Sequence, residues 1–206
     1  MPDPKAVVFD LLTALLDSWS LWDAVAGGQV PGRRWRARYL ELTYGCGVYR
    51  PYEELVSEAA RDAGLPVTAP AALRARWDSL APWPETPHVI AALRSRGRLL
   101  GVVTNCSVEL GRRAAARCGI PFDAVVTAEE AGFYKPHPEP YRAVLAALHV
   151  DAHEALFVAG SSADVPGAAS VGMPVVWHNR VGLPARPGSA PLREASTLDA
   201  ALCGFA

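Results

Sequence analysis

Segments typical of β-strands alternate with segments typical of α-helices over much of the chain. The first, at residues 6–9, is four consecutive apolar residues, two of them β-branched, which predicts a strand buried on both faces. Similar runs predict four further strands, at residues 99–103, 123–126, 155–159 and 175–177. A helical pattern separates each later strand from the next, which favours parallel pairing with right-handed crossovers. The predicted fold class is therefore α/β, with a doubly wound parallel sheet.

The long interval between the first two predicted strands contains only helical patterns. Four segments carry them, near residues 19–25, 33–44, 51–63 and 70–80. The three prolines Pro82, Pro84 and Pro87 cannot continue a helix and mark the end of this insert. We therefore predict an α-helical cap at residues 17–83, inserted after the first strand, and a core domain formed by residues 1–16 and 84–206.

Two other regions have plainer interpretations. The tail beyond Asn179 is rich in proline, and we predict only a helix at residues 198–202 there. His178 follows the last predicted strand and is either a hydrogen-bonded structural histidine or a group behind the active site. The tryptophans of the insert are interpreted as cap core, because tryptophan buries a large area; they are Trp19, Trp22, Trp35, Trp77 and Trp83.

Composition excludes several classes of partner. Half of the 206 residues are apolar and the formal net charge is −1, so nothing indicates an electrostatic surface for nucleic acid or membrane. No apolar run approaches the ~18 residues that span a bilayer, and the first residues lack the layout of a signal peptide. The four cysteines have no metal-ligand spacing, which predicts reduced thiols without a disulfide framework or zinc site. We expect a cytoplasmic protein with a small-molecule partner.

Polar side chains follow the predicted strands or open the helices after them. Asp10 ends the first strand, Thr104 and Asn105 end the second, and Lys135 and the segment 160–164 precede two later helices. The carboxyl ends of parallel strands meet at one edge of a sheet, so these residues are predicted to share a site. The chain uses arginine for nearly all of its 20 basic residues, so a lysine within such a segment indicates a need for a compact ammonium group.

The order of these four clusters resembles the four motifs of the haloacid dehalogenase superfamily, which implies a Rossmann-like core with a helical cap. The closer similarity is to L-2-haloacid dehalogenases. Phosphatases of the superfamily have a second Asp two residues after the nucleophile, where this chain has Leu12, and a magnesium-binding Asp at the position of Gly160. A bound magnesium ion would have only the carboxylates of Asp10 and Asp164. The resemblance therefore implies an enzyme without a cofactor, with magnesium possible but disfavoured.

The resemblance also implies roles for individual residues. Asp10 would attack an electrophilic carbon and form an ester, Lys135 would hold that carboxylate in line, and Asp164 would orient Lys135 or the hydrolytic water. Arg36 aligns with the cap arginine that receives the departing halide. The residues expected to contact the substrate are Leu12, Thr13, Thr104, Asn105, Tyr141 and Ser161.

The sequence departs from the family pattern at several positions. The expected threonine four residues after the nucleophile is Ala14, and Thr13 stands one position early. The expected serine and tryptophan of the last motif are replaced by Ala159 and Ala163. Two alternatives therefore stay open beside a 2-haloacid dehalogenase: a magnesium-dependent phosphatase of a small phosphorylated metabolite, and a catalytically silent binding protein. Family members are commonly dimers, which implies a possible homodimer.

Overall fold

The computed structural model describes residues 3–188 and 190–205 and is built on one parallel sheet. The six strands lie in the order β3-β2-β1-β4-β5-β6, with every neighbouring pair parallel. Their bounds are Ala6–Asp10 (β1), Leu99–Thr104 (β2), Ala124–Thr127 (β3), Ala155–Ala159 (β4), Val175–His178 (β5) and Arg193–Ala195 (β6). After β3 the chain returns to the other side of β1. The strand order thus reverses at the carboxyl end of β1, where ligands bind in open α/β sheets.

Helices cover both faces of the sheet, which confirms the predicted doubly wound α/β fold. On one face, Val7 and Phe9 of β1 join a core with helices α5, α6 and α10; on the other, Ala6 and Val8 join a core with α8 and α9. The helix bounds are Thr86–Ser95 (α5), Val108–Ala116 (α6), Ala128–Ala131 (α7), Pro138–Leu148 (α8), Asp164–Ala169 (α9) and Leu198–Ala201 (α10). The near-continuous apolar character of β1 follows from this burial on both faces.

Four helices lie between β1 and α5, as the sequence pattern predicted. They are Ser18–Val25 (α1), Gln29–Gly45 (α2), Tyr52–Asp62 (α3) and Ala69–Ala75 (α4). The chain enters and leaves this segment side by side, because Asp17 N donates to Ala81 O at 2.8 Å and Trp83 N donates to Leu15 O at 3.0 Å. The predicted boundaries of the cap lie at this two-stranded neck. The division into separate domains stays a prediction.

Three details of the sequence interpretation were wrong. The tail beyond Asn179 contains β6, whose side chains are exposed or half-buried and so lack the apolar run that marks a buried strand. The short helix α7 was also missed. The helix expected at residues 70–80 ends at Ala75 and continues only as a 3₁₀ turn, Trp77–Ser79. Within the described residues no helix combines the length and apolar character that crossing a membrane requires.

Candidate active site

Asp10 ends β1, and the loop that follows holds one of its two carboxylate oxygens. Oδ2 accepts hydrogen bonds from Thr13 N at 2.9 Å, Thr13 Oγ1 at 2.6 Å and Ala14 N at 3.1 Å. Thr13 thus supplies a hydroxyl that Ala14 cannot. Oδ1 takes no part in this set of bonds. The two oxygens of Asp10 therefore have different surroundings, one fixed by the loop and the other facing Lys135.

The ammonium group of Lys135 lies between two carboxylates. Its Nζ donates to Asp10 Oδ1 at 2.7 Å and to Asp164 Oδ2 at 3.2 Å, and the lysine is only 2% exposed. Charge-assisted bonds of this length in a buried site are strong and fix the geometry of all three groups. Residues 10, 135 and 164, which the sequence predicts to share a site, are in contact in the structure.

The backbone of Lys135 is held by the side chain of Asn105, at the end of β2. Asn105 Oδ1 accepts from Lys135 N at 2.8 Å, and Asn105 Nδ2 donates to Lys135 O at 3.0 Å. The neighbouring Thr104 hydroxyl donates to Cys106 Sγ at 3.3 Å. Asn105 therefore positions Lys135, and the roles of Thr104 and Asn105 in binding the substrate carboxylate stay predictions.

Asp164 opens α9 and is held from two sides. Tyr141 Oη donates to Asp164 Oδ1 at 3.1 Å, opposite the Lys135 bond to Oδ2. The tyrosine is fully buried, and a Cβ at Gly167 would lie 2.7 Å from its hydroxyl oxygen, so the glycine makes room for it. Tyr141 thus contacts the oxygen of the Asp164 carboxylate that Lys135 does not.

The pKa values of the two carboxyls move in opposite directions. Burial disfavours the ionised form of Asp10, but the Lys135 ammonium and the bonds from Thr13 outweigh it and hold the pKa of Asp10 below its ordinary value. Burial raises the pKa of Asp164, and the charge of Asp10 acts in the same direction, against Lys135. For Lys135, burial is outweighed by both carboxylates, and its pKa is raised. Asp10 is therefore the firmly ionised carboxylate, and Asp164 is the one that accepts a proton more readily.

Gly160, which follows β4, leaves no room for a side chain. A Cβ there would lie 2.1 Å from Thr13 Oγ1 and 2.6 Å from Asp10 Oδ2. Magnesium requires an oxygen shell with carboxylate ligands. Among residues 3–188 and 190–205 no group of three or more acidic, His or Cys side chains is arranged to hold a metal, and Lys135 already lies between Asp10 and Asp164. This set of residues disfavours a magnesium ion.

Arg36 of α2 brings a positive charge from the helical cap. It is only 4% exposed, and its guanidinium carbon lies 4.3 Å from the centre of the Trp19 ring and 5.4 Å from that of Trp22. Its Nε and Nη1 have no hydrogen-bond partner among the described residues. Burial lowers its pKa, against the charge of Asp10 and the neighbouring tyrosines. A buried cation with free donors is suited to an anion.

The residues of the site line one small cavity of about 40 Å³. Every residue predicted for the site lines it except Tyr141, which lies behind Asp164. The lining also contains five residues that the sequence interpretation did not assign to the site: Trp19, Tyr39, Leu40, Tyr44 and Leu183.

Part of this missed set had a signal in the sequence. Arg36, Leu40 and Tyr44 are spaced four residues apart on α2, so they form one stripe of the helix, and placing Arg36 at the site implies the other two. Trp19 was interpreted as cap core, and it does pack there, but its ring also supports Arg36. Leu183 had no signal, because it belongs to an irregular segment.

Comparisons with known proteins agree with this geometry. The family model for haloacid dehalogenase-like hydrolases matches residues 4–172. Haloacetate dehalogenase H-2 from Moraxella sp. (strain B) is 31% identical over 195 residues, 86% of this chain and 87% of that protein. (S)-2-haloacid dehalogenase from Pseudomonas sp. (strain YL) is 28% identical over 194 residues, 86% of this chain and 84% of that protein.

Solved structures lead to the same family. The crystal structure of an L-2-haloacid dehalogenase is 28% identical, with a TM-score of 0.88 over 98% of this chain and 99% of the other. The fold also matches the enzyme from Xanthobacter autotrophicus with chloropropionic acid covalently bound, at 24% identity and a TM-score of 0.85 over 98% of this chain and 100% of that one. The chain belongs to the haloacid dehalogenase-like hydrolases.

Proposed function

We propose that the protein is a hydrolytic 2-haloacid dehalogenase that acts on a small carboxylate through an ester of Asp10 and without a metal. The observation that carries this proposal is the ammonium of Lys135 between Asp10 and Asp164, together with Leu12 in place of an acid two residues after the nucleophile. Leu12 occupies the position where that acid would stand and lines the cavity. A halide leaves without protonation, so the step that expels it does not need such an acid.

In the first step Asp10 Oδ1 attacks the halogen-bearing carbon. A carbon–oxygen bond forms, the carbon–halogen bond breaks, and the halide departs with the electron pair. Oδ1 suits this role because Oδ2 already accepts three hydrogen bonds. The unpartnered Nε and Nη1 of Arg36 provide donors for the developing halide charge within the same cavity.

In the second step water attacks the carboxyl carbon of the Asp10 ester. The former Oδ2 is then the carbonyl oxygen, and the donors Thr13 N, Thr13 Oγ1 and Ala14 N are already aimed at it. They act as an oxyanion hole when negative charge develops on that atom. Asp164, whose pKa is raised, takes the proton from water. The bond between the carboxyl carbon and the former Oδ1 then breaks, and Asp164 returns the proton it took from water to the leaving alkoxide, which departs as a 2-hydroxy acid. Loss of the second proton of the water restores the Asp10 carboxylate, which now contains the oxygen of that water.

A phosphatase is disfavoured by two positions. Leaving alkoxides need a general acid, which contributes roughly 10²–10⁴-fold in rate, and Leu12 has no proton to give. Gly160 supplies no metal-binding carboxylate, and a side chain there would collide with Thr13. Magnesium-stimulated release of phosphate from phosphoesters would restore this alternative.

A catalytically silent relative is the other alternative, supported by Ala14, Ala159 and Ala163. The contacts of Thr13 weaken it, because its hydroxyl and backbone amide supply the bonds to Asp10 Oδ2. A silent protein would bind 2-haloacids without releasing halide.

The test is chloride release from chloroacetate and 2-chloropropionate, with and without a chelator, by the wild type and Asp10→Asn. We expect chloride release that the chelator leaves unchanged and that Asp10→Asn abolishes while its melting temperature stays near that of the wild type. Arg142→Gln, a change at an exposed residue of α8, is a matched control and should retain activity. Release of phosphate but not chloride, or of neither, would contradict the proposal.

The homodimer, the cytoplasmic location and the separate cap domain stay predictions. Sedimentation equilibrium tests the first of these directly.

A further inference from the structure

The lining of the cavity includes side chains with apolar surface from two distant parts of the chain. Leu40 and Tyr44 come from α2, and Leu183 comes from the segment that follows β5. The cavity volume of about 40 Å³ equals the space of roughly three water molecules, at about 10–15 Å³ each for this measure. A two-carbon acid with one halogen atom fills such a space.

Tyr44 is held in place at this wall. Its hydroxyl lies near Ser161, on the loop between β4 and α9, and burial raises the pKa of Tyr44 to about 12. The guanidinium carbon of Arg186 lies 4.6 Å from the centre of its ring. The tyrosine is therefore neutral, and the guanidinium of Arg186 packs against its ring.

Leu183 is held by its backbone. Leu183 N donates to Asn179 Oδ1 at 2.7 Å, and Asn179 Nδ2 donates to Leu183 O at 2.9 Å. The same Nδ2 donates to Glu194 Oε1 at 2.7 Å, which connects the turn to β6. The missed strand β6 thus has a consequence for the site, because it anchors the segment that carries Leu183.

We propose that Tyr44 and Leu183 set the length of the substrate, so that the enzyme accepts haloacetates and discriminates against 2-haloacids with each methylene added at C2. This inference rests on the proposed dehalogenase function. The halogen-bearing carbon is fixed near Asp10 Oδ1, and the departing halide is fixed near Arg36. The cavity measures only about 40 Å³, so a longer side chain on C2 has to displace lining side chains, and Tyr44 and Leu183 are two of the side chains that we propose it meets. A close-packed wall responds to even one methylene.

The test is kcat/KM for chloroacetate, 2-chloropropionate and 2-chlorobutyrate. In the wild type we expect a fall of roughly 10- to 200-fold for each added methylene, the range that a pocket achieves for one such group. Leu183→Ala should raise the ratio of 2-chlorobutyrate to chloroacetate at least about tenfold. Leu183→Val, a smaller change, should move the ratio in the same direction and serves if the alanine variant folds poorly.

The matched control is Leu192→Ala, since Leu192 lies in the same tail but is 59% exposed and does not line the cavity. Its ratio should equal that of the wild type. Chloride release with no dependence on chain length, or an unchanged ratio in both Leu183 variants, overturns the inference and leaves the proposed function intact. No chloride release from any of the three acids by the wild type overturns the proposed function, and this inference with it.

Discussion

The hydroxyl of Thr13 occupies the space that a side chain at Gly160 would need: a Cβ at position 160 would lie 2.1 Å from Thr13 Oγ1. The two residues come from the ends of neighbouring strands, β1 and β4, which meet at the nucleophile. The observed position of the Thr13 hydroxyl is therefore incompatible with any side chain at position 160, including a carboxylate. This arrangement directs three donors at Asp10 Oδ2 and leaves no room for a metal-binding side chain at position 160.

Gly160→Ala is the first prediction that follows. The added methyl would collide with Thr13 Oγ1, Asp10 Oδ2 and Ala14 N, and overpacking of this kind displaces side chains at a cost of about 1–3 kcal/mol. Because the displaced groups are those that hold the nucleophile, we expect chloride release from chloroacetate to fall at least about 100-fold. Steady-state kinetics measures this, and wild-type turnover by a folded variant would contradict it.

Thr13→Val tests the oxyanion hole. The change keeps the shape of the side chain but removes the 2.6 Å bond to Asp10 Oδ2. Loss of one such donor lowers kcat by roughly 10²–10³-fold. Because the donor is needed most when water attacks the ester, we expect the ester to accumulate, as a mass increase of the intact protein during turnover. Thr13→Ser should keep most of the activity; equal activity of Val and Ser variants would show that the hydroxyl has no such role.

Tyr141→Phe should change the pH dependence of the reaction. The tyrosine hydroxyl donates to Asp164 Oδ1 and favours its ionised form, against the burial that raises the pKa of Asp164. Removing the donor raises that pKa further, so the acidic limb of the kcat profile should move to higher pH, as a property of the coupled Asp10–Asp164 pair. Profiles of both proteins between pH 4 and 9 measure the shift. A limb that stays in place or moves to lower pH would contradict the assignment of Asp164 as proton acceptor.

His178 connects stability with pH. It is fully buried, and its Nδ1 donates to Ala14 O at 2.8 Å, behind the loop that holds Asp10. Burial lowers the pKa of His178 below its ordinary value of about 6.5, so the unfolded chain binds the proton more readily than the folded one. The free energy of unfolding should therefore be highest above pH ~6.5 and should fall as the pH decreases below it.

His178→Asn keeps a donor for Ala14 O but removes the titration. We expect urea denaturation at pH 7.5 and pH 5.5 to show a smaller loss of stability on acidification than in the wild type. His153→Asn, at an exposed residue, controls for the loss of a histidine. If His178→Asn and the wild type lose the same free energy between these two pH values, the buried histidine does not account for the dependence.

The sequence predicted the catalytic centre better than the walls around it. Asp10 lies 125 residues before Lys135, which lies 29 residues before Asp164, yet the parallel strands bring all three to one edge, as the periodicity of the chain predicts. Arg36 is assigned to the site by the family resemblance alone. Leu40 and Tyr44 lie four and eight residues further along the same helix, and this spacing places them on the same face as Arg36. Thr13 stands one position earlier than the family pattern, and the sequence did not specify its contact with Asp10, because the path of a short loop depends on hydrogen bonds that residue types do not determine.

The tail was the least predictable part. β6 is exposed and polar, so burial left no mark on its sequence, and Leu183 reaches the cavity only because Asn179 closes a turn around it. Long-range pairing with β5 decides this segment, and local propensity does not reveal such pairing. One residue of the cavity wall, Leu183, therefore comes from the least patterned region of the chain.

The most direct test of the covalent role of Asp10 is a single turnover of chloroacetate in oxygen-18 water with enzyme in excess. If Asp10 forms the ester and water attacks its carboxyl carbon, the first glycolate released carries oxygen from Asp10, and the label appears in the peptide that contains Asp10. Asp10→Asn should release no glycolate and take up no label. Label in the first glycolate, with none in that peptide, would mean that water attacks the substrate directly and would contradict the account.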